Sequence, residues 1–171
     1  MKKSIFRFSA LVLLVSVCNI DVSAQATATA TATATIITPI TITKNADMNF
    51  GNVAVQATTG GTVVMTPAGL RSATSGVTLP ASGGTVSAAS FTVNGQAGYT
   101  YSITLPHSVT LTDAASNPML VDNFSSTPTP VGSLTGGTQT LLVGATLNVA
   151  LNQAPGVYTS VTPFTVIVNY N

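Results

Sequence analysis

The chain has 171 residues, of which 45% are hydrophobic and only 5% charged, with 5 Lys+Arg, 4 Asp+Glu and one histidine. So few cations cannot build a nucleic-acid footprint, and so apolar a composition does not stay a solvated coil. A chain without glutamate also lacks the usual surface of a helical bundle, and acid–base catalysts are too scarce for an ordinary enzyme. What remains is a β-rich, exported protein, weakly solubilised by charge and suited to assembly.

The first residues read as a signal peptide. Lys2, Lys3 and Arg7 precede an apolar run over residues 8–17, and Val22, Ser23 and Ala24 offer small side chains at the cleavage positions. Asn19 and Asp21 end the run short of the roughly 20 apolar residues that a spanning helix needs. Residues 1–24 are therefore expected to be removed, leaving no membrane span. Cys18 is the only cysteine, so the mature chain would carry no disulfide even in a compartment that permits one.

After Gln25, residues 26–35 alternate alanine and threonine, and the alternation runs on into isoleucine and threonine. Period two is a strand pattern. Its even-numbered face carries the alanines from Ala26 to Ala34, then Ile36, Thr38, Ile40 and Ile42. Fully extended, the segment would reach roughly 55 Å, far beyond the 17–20 Å of an ordinary strand. Residues 25–43 are thus expected to form an extended arm whose docking end carries Ile36, Ile40 and Ile42. An isoleucine contributes about 1.5–3 kcal/mol when fully buried and an alanine methyl about 0.8, so the isoleucines would carry the affinity. Pro39 lacks the amide that a strand paired on both sides requires.

From Lys44 onward, short apolar runs alternate with turn signals. Residues 62–65 precede a turn at Pro67, Ala68 and Gly69. Gly83 and Gly84 separate residues 77–79 from residues 86–93, which Asn94 and Gly95 close. Tyr99, Tyr101, Ile103 and Leu105 alternate with polar residues. Residues 125–137, rich in Ser, Thr, Pro and Gly, read as a loop. Leu141, Val143, Leu147, Val149 and Leu151 straddle Gly144, which is expected to mark a bend or bulge. Phe164, Val166, Val168 and Tyr170 share one face of a terminal strand. Many short strands and no helical period indicate an all-β sandwich over residues 44–171.

Catalytic chemistry is nearly absent. The only histidine, His107, lies in a turn, so a single base would have to serve any triad. Asp113 and Asp122 sit among turn formers and read as Asx-turn residues rather than a carboxylate pair. No calcium-type spacing, phosphate-binding loop or Cys/His cluster is present, so no metal site and no cofactor are expected.

The stretch from Ile37 to Gly51, Ala89 to Gly95 followed by Tyr99 to Pro106, Val143 to Leu147, and Gly156 to Asn171 together resemble a secreted bacterial family of uncharacterised all-β domains. That family is similar to spore-coat-U-like pilins and other chaperone–usher fimbrial subunits. The resemblance implies an incomplete immunoglobulin-like β-sandwich, completed by a neighbour's N-terminal strand, with a glycine and a penultimate tyrosine near its end; Gly156 and Tyr170 match these. The chain departs from many such pilins in lacking a disulfide and in placing Pro39 within the presumed donor.

The expected function is a non-enzymatic structural subunit of a bacterial surface filament or fimbria, exported through the periplasm to the cell surface. Ile36, Ile40 and Ile42 would be donated to a neighbouring subunit. Phe164, Val166, Val168 and Tyr170 would line the receiving groove or engage a periplasmic chaperone. The alternative is a self-contained secreted adhesin or glycan-binding sandwich on a flexible spacer.

Overall fold

A computed structural model describes residues 24–171, so all of the expected signal peptide except Ala24 lies outside the described residues. Two compact units divide the chain after Thr35. The described part of the first, residues 24–35, is exposed and carries no regular secondary structure.

The second unit, Ile36–Asn171, is all-β. Its strands are β1 (Thr41–Ala46), β2 (Ala54–Val55), β3 (Gly61–Met65), β4 (Arg71–Ala73), β5 (Val77–Thr78), β6 (Ala89–Asn94) and β7 (Thr100–Thr104). They continue with β8 (Ser108–Thr112), β9 (Pro118–Thr127), β10 (Val131–Ser133), β11 (Thr138–Val149), β12 (Thr159–Ser160) and β13 (Ile167–Tyr170). No helix long and apolar enough to cross a membrane occurs among the described residues, a statement that does not bear on β-barrels.

The large sheet runs β1-β6-β11-β9-β8-β12, with β3 joined to β11 and β4 to β3; the small sheet runs β10-β7-β13, and β2 pairs with β5. Every pairing is antiparallel. Strand β11 is the spine. Its period-two pattern turns Leu141, Val143, Ala145, Leu147 and Val149 inward, all of them buried. The first two join a cluster with Val93, Tyr101, Leu134, Val166 and Val168, which draws on both sheets. The last three join a second cluster with Phe50, Val63, Met65, Met119 and Val121. Burying each leucine or valine contributes about 1.5–3 kcal/mol, and with no cysteine among the described residues this burial and the backbone ladders hold the fold.

Gly144 lies at the β11–β9 register shift, the irregularity expected there. The predicted turn at Pro67, Ala68 and Gly69 closes the β3–β4 hairpin, with Gly69 at φ +79°. One expectation is corrected. Residues 125–137 are not wholly a loop: the end of β9 extends to Thr127 and β10 begins at Val131. Threonine suits strands, and pairing to β11 and β7 outweighs the local turn composition.

Set in chain order, β1, β6, β7, β9, β11 and β13 distribute as first-second-fifth-fourth in one sheet and third-sixth in the other. These six of the thirteen strands follow the immunoglobulin-type order, in which a seventh strand lies beside the sixth; β3, β4, β8, β10 and β12 extend the two sheets around them. Among the described residues no strand occupies that place, and the outer edge of β13 is unpaired.

Candidate functional site

The open edge begins before β13. Residues 163–166 carry no regular secondary structure, and their backbone groups have no backbone partner among the described residues. Side chains alternate along this segment and β13. Val166 and Val168 are buried, Phe164 and Tyr170 are half-buried, and Thr165, Ile167 and Asn169 are exposed. All four inward residues pack in the cluster shared by the two sheets, and Ile40 and Ile42 pack against the same cluster. The terminal edges of the two sheets, β1 and β13, therefore lie on the same side of the sandwich.

A polar clamp ties them at one end. The Tyr170 hydroxyl donates to the Thr38 carbonyl at 2.7 Å and accepts from the Gln96 amide at 2.6 Å. The Gln96 Oε1 accepts from the Thr38 amide at 3.3 Å and its hydroxyl at 3.1 Å. Tyr99 meets the Tyr170 ring edge-on at 5.7 Å between centroids. Gly95 allows this approach, because a Cβ there would strike the Tyr170 hydroxyl. Replacing Tyr170 with phenylalanine is expected to cost about 1–2 kcal/mol through the lost hydrogen bonds, read as a lower urea midpoint at unchanged slope.

At the other end the edge opens into a cavity of about 700 Å³ lined by Met48, Phe50, Val109, Leu111, Leu147 and Phe164, among others. The Phe164 ring rests on Phe124 at 5.2 Å. One wall is braced by Arg71, whose guanidinium donates to the carbonyls of Phe50 and Asn52.

A family model described as a domain of unknown function (DUF4402) matches residues 40–170, most of the chain. The chain belongs to this family. No curated protein and no solved structure matches it.

Within the DUF4402 domain, the residues singled out from sequence fall into two groups. Phe164, Val166, Val168 and Tyr170 form one inward face, joined by Ile40 and Ile42 from the chain's own β1 region. Ile42 lies opposite Val93 in the β1–β6 ladder. Ile36 is apart from them, 96% exposed. His107 is exposed, and the Asp113 carboxylate accepts from the Asn117 side chain at 2.7 Å and from the Ala115 and Asn117 amides. These bonds, the Asn117 side chain's above all, hold the Asp113 carboxyl below its usual range, which fits a turn staple. Lys44 pairs with Asp47 at 2.7 Å on an exposed surface, a contact worth little. Among the described residues no three His, Cys, Asp or Glu side chains gather as a metal site would require.

Sequence reasoning missed Gln96, Arg71 and the cavity. Gln96 follows the Asn94-Gly95 turn and gave no signal of its own. The cavity brings inward residues of β8 and β9 to Phe50 and Phe164, a meeting that depends on long-range topology.

Proposed function

We propose that this DUF4402 chain is a non-enzymatic structural subunit of a bacterial surface filament or fimbria, exported and then assembled by donor-strand pairing. The observation that carries the reading is the empty seventh-strand position beside β13, backed by an apolar face. An edge of this kind invites strand addition, with main-chain hydrogen bonds giving affinity and alternate side chains filling pockets. The chain also carries a segment with a strand's period-two pattern outside both sheets: the exposed residues 25–35. Because β1 pairs with β6 in the same domain, the natural donor is residues 26–36, with Ile36 as its exposed large apolar side chain. On this reading Phe164, Val166, Val168 and Tyr170 line the receiving groove, and a periplasmic chaperone covers it in transit.

Deleting residues 25–35 tests the reading. The intact chain is expected to form concentration-dependent oligomers by sedimentation, and the deletion variant to remain monomeric. Adding a peptide of residues 26–36 at a hundredfold excess over its Kd should stabilise the variant by about 2.7 kcal/mol. If the intact chain is a monomer with the same melting temperature as the variant, the reading fails. A self-contained adhesin or glycan-binding sandwich on a spacer then takes its place.

A further inference from the structure

Strand donation by an alanine-threonine repeat has a register problem. Shifting such a strand by two residues returns the same side chains to the same face, so the repeat alone cannot choose its alignment. The edge it would meet is not uniform. Val166 and Val168 are each only 8% exposed, within the cluster that Ile40 and Ile42 also pack against, so along them the edge leaves little apolar surface for a donor to cover and a methyl suffices. At Phe164 the edge opens into the cavity of about 700 Å³, which a methyl cannot fill. Just beyond, Pro163 lacks the amide needed to continue a ladder. The arm has the matching order of sizes: alanines from Ala26 to Ala34, then Ile36.

We propose that Ile36 of one copy seats beside Phe164 of a second copy, at the mouth of the cavity, and thereby fixes the register of the donated strand. This rests on the strand-donation reading above. Every strand pair in the domain is antiparallel, and antiparallel addition to β13 sets Ile36 opposite Phe164, Ala34 opposite Val166, Ala32 opposite Val168 and Ala30 opposite Tyr170. Directly opposed residues share a face, so the alanines turn inward and the threonines outward. A two-residue slip puts Ala34 or Thr38 opposite Phe164 in place of Ile36, and losing the isoleucine there separates this register from its neighbours by about ten- to a hundredfold.

Cysteine pairs in the full chain, carrying Cys18→Ser, read the register directly. The proposed alignment places Thr33 opposite Ile167, both on the exposed face. Three double variants combine Ile167→Cys with Thr31→Cys, Thr33→Cys or Thr35→Cys, and oxidised samples are run on denaturing gels. The expected result is a ladder of linked chains at least about tenfold stronger for Thr33→Cys than for either neighbour, since a two-residue slip moves the sulfurs about 7 Å apart. Adding Ile36→Ala should level the three. Combining Ile36→Ala with Ala34→Ile should move the maximum to Thr31→Cys. Equal ladders in the parent, or a maximum that ignores the moved isoleucine, would overturn the register lock while leaving strand donation standing. No ladder in any variant, or only cyclised monomers, would overturn both.

Discussion

Truncating Tyr101 to alanine is expected to destabilise the domain by about 3–5 kcal/mol, a large share of the 5–15 kcal/mol that holds a typical domain folded. The side chain is fully buried on β7, at the centre of the cluster shared by the two sheets. Its ring lies against Gly132 of the neighbouring β10, where any Cβ would collide with it. Its hydroxyl donates to the Gln139 Oε1 at 2.9 Å, which also accepts from the Ser133 amide at 2.8 Å. Gln139 belongs to β11, so one side chain links the small sheet to the large one. Burial also raises the phenol's pKa, so it remains a neutral donor across the physiological range. Tyr101→Phe keeps the ring and loses only that bond, an expected cost of about 1 kcal/mol. Urea unfolding of the two variants separates packing from hydrogen bonding; a Tyr101→Ala cost below about 1 kcal/mol would contradict the placement.

Much of this fold is legible in local pattern, because a strand's two faces are written every second residue. The inward set of β11 and the face from Phe164 to Tyr170 both follow from alternation. Gly144 was readable as a break in β11, since a glycine inside an apolar alternating run has no packing reason to be there. Asp113 was readable as a turn residue from its small polar neighbours. What alternation does not encode is which edge pairs with which. Thr41 to Thr43 look no different from the arm before them, yet they pair with Val93 and its neighbours in β6, and Pro39 falls just outside that ladder. The vacant strand position, the cavity behind Phe164 and the Tyr170–Gln96–Thr38 clamp all arise from contacts distant in sequence. These features make the candidate site, so the site was less legible than the core.

Gly144→Val is the second large effect, expected to cost about 3 kcal/mol, at the upper end of the overpacking range. The position is where β11 passes from its pairing with β6 to its pairing with β3 while shifting register against β9. A Cβ there would run into the Met65 carbonyl oxygen and lie 2.6 Å from the Thr66 carbonyl carbon and 2.7 Å from the Pro67 nitrogen. All three are backbone atoms at the start of the β3–β4 turn, and a backbone held by ladder hydrogen bonds cannot rotate aside as a side-chain tip could. Relief would have to come from moving β3 away from β11, which uncovers Val63 and Met65 in the second cluster, the one with Phe50. Gly136 is the matched control: it has open space around its Cβ position and no left-handed φ. Gly136→Ala should therefore be neutral, or stabilising by up to about 1 kcal/mol through the unfolded chain. Equal urea midpoints for the two variants would mean that β11 does not approach the β3 backbone as closely as described. A selective loss at Gly144 would show that the strand feeding both core clusters depends on a missing side chain at its crossing point.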